Sequence, residues 1–563
     1  MADYKTPGVY VEEISKFPPS VAGVATAIPA FIGFTAKCPN GEQGKPVKVT
    51  SMVDYETKFG GAPVLQLDGN DLKNNEFVMY DSMRLFFDNG GGTCYVSSIG
   101  QYYNEKNVFC TENLEKTSDN YKSAITPLEK VDEVTLVLFP DAALVLNSES
   151  ELGSVHQDAL NHCGKMGDRF AILDVKDIYD PNDKLGVTLK AFRGNVGANN
   201  LSYGAAYYPY LKTTYTKEIG FDEMLKIAEI KNEANNEFKF QEIYDKILND
   251  EFKKLYTIDD DGNLKKGAEI ITESDIDIEA KLLTGIKAEK EKDGEKDFCT
   301  ILDKTLQTTY TITDEDGKFK KGDTVITKSN IEIENNILKA IKSTKDLIEK
   351  SIKNHSPLYS SKLAEFQSKA QIITPSAAIA GIYASVDANK GVWQAPANVS
   401  VSSVSTVTEM ISDYEQEDMN VDANAGKSIN AIRYFSGKGI IVWGSRTLDG
   451  NSNEWRYIPV RRLFNYIEES VQKSTNWAVF QPNDANTWIK VRCQIENFLS
   501  NLWRDGALAG STPDKAFYVR VGLDETMTAQ DILEGKMIVE IGLAAVRPAE
   551  FIILKFSHKL QEA

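Results

Sequence analysis

Four groups of residues in this chain have types and spacings that could do chemistry. Ala425-Gly-Lys-Ser428 ends like a phosphate loop, whose backbone N–H groups cradle phosphate while Lys and Ser reach the nucleotide and its metal. The full motif needs a glycine five residues before Gly426, but Val421 stands there and no strand-like run precedes it. A bare Gly-Lys-Ser is common, so the sequence argues against a nucleotide site. The acidic turns Asp259–Gly262 and Asp314–Gly317 resemble calcium loops. Aligned on their glycines, the first ligand position is Thr257 or Ile312 and the twelfth is Ala268 or Asp323, so both lack the opening Asp and the closing bidentate Glu. A hairpin turn is the better reading. His156, His162 and Cys163 lie close in sequence, but a spacing of six does not put two ligands on one helical face. They are read as a surface helix. Arg461-Arg462 is read either as a solvated pair or as a salt bridge to an acidic neighbouring subunit, where arginine binds carboxylates bidentately. No serine or cysteine has a nucleophile context such as Gly-x-Ser-x-Gly. The residues thus predict no enzyme, no metal and no cofactor.

The bulk numbers narrow the partners. With 63 Lys and Arg against 82 Asp and Glu, the net charge of −19 disfavours nucleic acid, which needs a basic footprint, and weakly disfavours anionic membranes. The apolar stretch Val21–Phe34 holds Pro29 and two glycines and is too short to span a bilayer. Six scattered cysteines, without a Cys-x-x-Cys pair, read as free thiols made in a reducing compartment. Met1-Ala-Asp-Tyr-Lys-Thr-Pro-Gly8 is not a signal peptide. Synthesis in the cytoplasm is expected, with any release occurring without that type of signal.

The elements that would position these groups fall into blocks. Residues 1–20 read as an arm, with Val9-Tyr-Val-Glu-Glu-Ile14 a short strand and Phe17-Pro-Pro-Ser20 a stiff exit. Residues 21–210 alternate strand-like runs (Ala30–Phe34, Thr93–Val96, Val134–Phe139) with helical ones (Phe77–Asn89, Ser154–Cys163), a middle α/β domain completed by 371–420. From Leu211 to Thr374 there is no Arg, no Trp and only Pro357. Residues 211–370 are therefore read as an inserted domain. It contains two repeats, about 244–287 and 298–342, in which Tyr256–Gly267 matches Tyr310–Gly322, each a hairpin turning at Asp-Gly. Residues 421–547 form a C-terminal domain, with a helix opening at Pro459, another capped at Asn483 or Asp484, and strands at Ala516–Val519 and Met537–Leu543. Residues 548–563 form a second arm, with Glu550–Phe556 a last strand. The whole is predicted as a multidomain α+β chain whose C-terminal core holds a mixed sheet.

All six tryptophans lie between Trp393 and Trp503, and nine of twelve arginines follow position 430. Trp, Tyr and Arg concentrate at the centres of protein interfaces, so this part points to assembly rather than turnover.

The ordered motifs here resemble the contractile tail sheath family of phages and phage-tail-like injection systems. They include Gly391-Val-Trp-Gln-Ala-Pro-Ala-Asn398, Gly439-Ile-Ile-Val-Trp-Gly-Ser-Arg-Thr447, Tyr457-Ile-Pro-Val-Arg-Arg-Leu463, Trp477-Ala-Val-Phe-Gln-Pro-Asn483 and Pro548-Ala-Glu-Phe551. Thr6–Glu13 is similar to the family's opening arm, and Gln481 stands where the family often has Glu. The resemblance implies a structural protein that stacks as hexameric rings around an inner tube, with baseplate, terminal cap and other sheath proteins as partners. It implies a sheath that shortens to drive the tube through an envelope, in a phage tail or a released particle. It also implies that both arms pair with neighbouring subunits, through Val9, Tyr10, Val11, Glu12 and Ile14 at one end and Phe551, Ile552, Ile553 and Leu554 at the other. Lys490, Arg492 and Arg504 are the candidates to face the tube. The rival reading is a cell-surface or carbohydrate-binding protein that uses the repeated insert.

Overall fold

In the computed structural model, the described residues are 21–103, 114–178, 180, 184–227, 229–230, 353, 356–422 and 424–553, with six short strands between 256 and 325. The chain divides into two units, one of residues 1–63, 75–215 and 371–563, the other of 64–74 and 216–370. In the second unit Tyr256–Ile258 pairs with Leu264–Lys266 and Thr311–Ile312 with Phe319–Lys321, so the repeats do form hairpins. The insert was expected to start at 211. Leu211–Thr213 instead pairs with Ile372–Ile373 and Val404–Val407 in the first unit, because its buried Leu211 and Thr213 belong to that packing. The fall in arginine content does not coincide with the structural boundary. The strand expected at Val9–Ile14 lies outside the described residues.

The first unit is organised by twelve strands in chain order: β1 (Pro29–Thr35), β2 (Pro46–Val49), β3 (Cys94–Gln101), β4 (Leu136–Leu138), β5 (Phe170–Asp174), β6 (Gly204–Tyr208), β7 (Leu211–Thr213), β8 (Ile372–Ile373), β9 (Val399–Ser400), β10 (Val404–Val407), β11 (Ile429–Phe435) and β12 (Gly439–Val442). Nine of them form one sheet in the order β9-β12-β11-β6-β5-β4-β1-β3-β2. The six from β11 to β3 run parallel, with β12 and β2 antiparallel at the flanks. Strands β1, β4, β5 and β6 are buried throughout, as parallel strands covered on both faces must be.

Helices cover both faces: α1 (Met79–Asp88), α2 (Glu149–Met166) and α3 (Ser376–Lys390) carry most of the packing. The two-residue period of each strand sorts the core into two clusters. Ala30, Ile32, Val137 and Leu173 join Leu152, Val155 and Leu160 of α2; Phe31, Leu136, Leu138 and Ile172 join Met83 and Phe86 of α1 and Ile379 and Tyr383 of α3. Helices α1 and α3 approach so closely that a Cβ on Gly381 would lie 2.5 Å from the Phe86 carbonyl oxygen. Helix α2 starts at a capping box, Ser148 with Glu151, and stops at left-handed Gly167.

Helix α4 (Asp413–Asn420) precedes β11; after β12 come α5 (Ile458–Thr475) and α6 (Ala485–Arg504), then β13 (Phe517–Arg520) and β14 (Glu540–Leu543). Asp484 caps α6 by accepting from Thr487 N. Leu463 and Ile467 of α5 pack on Val491, Ile495, Phe498 and Leu502 of α6, with Trp393, Trp477 and Trp503 against them.

The large sheet is a doubly wound α/β sheet, in keeping with the α/β middle domain expected for 21–210. The expected boundary at 421, however, runs through it, since β11 and β12 complete the middle sheet across the insert. The cause is a long-range pairing, Ile429 beside Ala206, that no local pattern announces. Among the described residues, the C-terminal part keeps a single further sheet, the two-stranded β13–β14. Residues 550–553, expected within a strand, are in none.

Candidate functional site

Doubly wound sheets bind ligands outside the carboxyl ends of the strands, where strand order reverses. Here that point lies between β1 and β4, and Asp141 fills it. Its carboxylate accepts from Phe34 N at 2.7 Å and from the Tyr121 hydroxyl at 2.8 Å. Asp141 is fully buried, and desolvation pushes its acid up to about 7 against those two hydrogen bonds. A Cβ on Gly33 would lie 2.5 Å from the same carboxylate, so the crevice is closed by side chain rather than open to a ligand.

The Gly-Lys-Ser loop is closed in a similar way. Asp422 accepts from the backbone N–H groups of Asn424, Ala425 and Lys427, and Lys427 Nζ donates to the Arg193 carbonyl. The cradle already holds an internal carboxylate. His156, His162 and Cys163 are buried in α2, not on the surface as expected. Burial lowers His156 to about 3, and burial with the Arg169 charge lowers His162 to about 4, so both rings are neutral. His162 Nε2 lies 3.0 Å from Arg169 Nη1.

Arg461 and Arg462 were candidates for an inter-subunit ion pair. Both are buried and committed within the chain. Arg462 holds Asp387 bidentately at 2.5 and 3.0 Å and donates to the Thr26 carbonyl at 2.9 Å. Arg461 donates to Asn465 and is flanked by the rings of Tyr203 and Trp455. Burial without a partner would be costly for either guanidinium, so internal pairing took precedence over an external one. Lys490 and Arg504 are exposed on α6, whereas Arg492 is half-buried and donates to Val521 O and Glu525.

The internal pairing of Arg462 has a second consequence. Residues 22, 24 and 26 lie extended along α5: Ala22 N donates to Ser474 Oγ, Val24 N to Ser470 Oγ, and Arg462 holds Thr26. This is the root of the N-terminal arm. The root of the C-terminal arm is Glu550, whose carboxylate takes Arg446 Nε at 2.9 Å and Nη2 at 2.7 Å, Asn420 Nδ2 at 2.7 Å and the Tyr457 hydroxyl at 3.1 Å. Tyr457 is the N-cap of α5. The N-terminal root therefore runs along α5 and leaves it at its C-terminal end by Ser474, while the C-terminal root sits at the start of the same helix. Ser474 and Tyr457 are 474 − 457 = 17 residues apart, about 25 Å at 1.5 Å per residue. Sequence reading missed this cluster. Its signal was present, since Arg446, Tyr457 and Glu550 lie in three separate motifs whose convergence only the fold reveals.

Beyond Glu550 the chain exposes Phe551 at 70%, Ile552 at 79% and Ile553 at 79%; Leu554 lies outside the described residues. Phe551 and Ile552 border a groove of about 670 Å³ also lined by Trp443, Arg433, Gln416, Glu417 and Tyr457. Nearby in sequence, β13 and β14 each have a single strand partner among the described residues. Ile541 and Leu543 are only partly covered, and Ile538 is exposed. An apolar sheet with two free edges is a template for further strands.

The first unit is thus a mixed α/β fold whose two chain ends leave from fixed roots. Comparison with known proteins supplies the family it resembles. Residues 451–559 match the family profile of the phage tail sheath C-terminal domain. Over 179 residues the chain is 25% identical to the tail sheath protein of Vibrio phage KVP40, covering 32% of this chain and 25% of that one. The chain thus spans about a quarter of that relative's length. Among solved structures, the sheath complex of the extracellular contractile injection system PVC, in its contracted state, superposes with a TM-score of 0.54 at 24% identity, covering 100% of this chain and 99% of that one. The helical sheath of the anti-feeding prophage, also contracted, gives 0.55 at 24% identity over 99% and 100%. The chain resembles the contractile tail sheath family, in sequence through residues 451–559 and in fold along nearly its whole length.

Proposed function

We propose that this chain is the structural sheath subunit of a contractile injection system. It polymerises as stacked hexameric rings around an inner tube and shortens to drive that tube through a target envelope. The observation that carries this reading is the pair of arm roots on α5 beside a two-stranded sheet with free edges. Each arm, Val9–Ile14 and Phe551–Leu554, adds a strand to a neighbour's sheet, a mode in which backbone hydrogen bonds supply affinity. Each bond contributes only about 0.5–1.5 kcal/mol net, so one arm is weak, and repetition through a lattice makes the linkage strong.

A rigid strut of 18 residues with an arm at each end lets the core rotate while neighbours stay connected. No nucleotide site is needed, since a metastable extended lattice stores the energy. The exposed face of α6 with Lys490 and Arg504 faces the tube, Arg492 bracing it from the side. Baseplate, cap and any sibling sheath proteins bind the ends. The insert projects outward, because an insert of that size on the inside would block the lumen. Removing residues 1–14 or 549–563 should abolish ordered sheaths; normal tubes from either truncation would sink the reading.

A further inference from the structure

We infer that the loop between α5 and α6 is a knob, tipped by Phe480, that seats in the groove beside Trp443 of a second copy of this chain. The inference rests on the reading that copies assemble, and it adds a contact that neither arm supplies.

The knob is held in a costly conformation. Phe480 is fully exposed, and Val479 beside it is 59% exposed. Phe480 has a φ of 64°, a left-handed backbone that bulky residues rarely adopt. Hydrogen bonds pin the loop on both sides of it. Val479 N donates to the Asn476 carbonyl and Gln481 N to the Ala478 carbonyl. Trp477 Nε1 donates to Gln494 at 2.8 Å, Trp488 Nε1 to Asn483 at 2.7 Å, and Asn483 Nδ2 to the Lys536 carbonyl at 2.8 Å. An aromatic ring that is strained and left in water does nothing for its own fold, and such strain marks sites of function. A ring already ordered in this way also loses little entropy on docking.

The groove fits the knob. Its volume of about 670 Å³ is that of a ligand pocket, with room for a phenyl ring and the valine beside it. Ala397, Trp443, Pro548, Phe551 and Ile552 give it apolar walls. Trp443 is 36% exposed and the last two more so, so an entering ring buries apolar surface on both partners. Asp413 and Glu417 also line the groove, and Val479-Phe-Gln-Pro482 carries no charge to oppose them. Position decides that the ring comes from another copy. Tyr457, the N-cap of α5, lines the groove, while the loop follows the far end of that 18-residue helix, about 27 Å away. A contact from one end of a rigid strut to the other end of the next copy is head-to-tail. It therefore passes from copy to copy, as rings and helical lattices require.

The test places a photo-crosslinking residue at the knob of the full chain, Phe480→p-benzoylphenylalanine, and irradiates a mixture of isotopically light and heavy chains. Crosslinks should join light to heavy chains and map to Ala397, Trp443 and Pro548. Adding Ala397→Lys, which fills the groove with a long cation, should lower crosslinking of that chain to itself at least about tenfold. The same chain should still crosslink to added wild-type chains, whose groove is open. Phe480→Gly, which takes the left-handed backbone freely, should not lower the melting temperature. Crosslinks within one chain, crosslinks to another surface of the second copy, no crosslinks between copies, or undiminished self-crosslinking with Ala397→Lys would each overturn the inference. So would a lower melting temperature for Phe480→Gly, by showing that the ring supports its own fold. The crosslink map does not depend on tubes, so microscopy of the unlabelled full chain scores the sheath reading separately.

Discussion

Glu550→Ala removes the acceptor at the root of the C-terminal arm. Arg446 has a side chain only 5% exposed, and it loses its bonds from Nε and Nη2 and keeps one from Nη1 to the Asn420 carbonyl. Tyr457 and the Asn420 amide lose partners as well. Breaking a buried pair from one side costs about 3–5 kcal/mol, but the Glu550 side chain is 21% exposed and water can reach part of the gap. The expected loss is about 2–3 kcal/mol, close to that of charge-assisted hydrogen bonds. Glu550→Gln keeps the shape and an acceptor and should lose about half as much. Urea unfolding followed by tryptophan fluorescence is the assay, because all six tryptophans lie in the first unit and report it alone. The pH dependence follows from the lowered acid of Glu550, which is held down by Arg446 and Asn420 against desolvation. A depressed folded-state value contributes stability above the ordinary glutamate range and loses it as pH falls through the folded value. The gap between wild type and Glu550→Gln should therefore be constant near neutrality and close in acid. An unchanged urea midpoint in Glu550→Ala, or a gap that widens in acid, would refute the clamp.

Other outcomes are expected elsewhere. Asp141 and Asp174 are both pushed up to about 7 by burial, so their contribution is present in acid and lost as pH rises from the ordinary aspartate range toward 7. Asp141→Asn should flatten that slope, by at most about 1.4 kcal/mol per pH unit, in pH-resolved melting. Gly33→Ala drives a methyl into Asp141 and Met79 and should cost about 1–3 kcal/mol, read as a lower melting temperature. Reversing charge at Arg504 should weaken recruitment of the inner tube in co-sedimentation while leaving melting unchanged; reversing Arg492 should lower both, since it braces Val521 and Glu525.

What the sequence disclosed depended on how local each feature was. Caps, hairpins and amphipathic helices are written within a few residues, and Asp484 and Thr528–Asp531 behave as their types require, whereas α2 starts at Glu149, five residues before the run expected from Ser154. The order of the parallel sheet is not local. It joins β6 to β11 across more than two hundred residues, and apolar runs buried on both faces carry no sign of which strand lies beside them. The arginine pair was legible as important but not as internal, because its partners Asp387 and Thr26 come from distant segments. The tryptophans pointed to an interface-rich module with several of them filling its core. Trp393, Trp477 and Trp503 do pack against the core of the C-terminal domain, and Trp443 lies at the groove.

The central claim is assembly through exchanged strands, and electron microscopy of the expressed full chain beside the chain lacking residues 1–14 tests it most directly. The expected result is uniform striated tubes from the full chain and dispersed subunits from the shortened one. Dispersed subunits from both, or identical tubes from both, would contradict it.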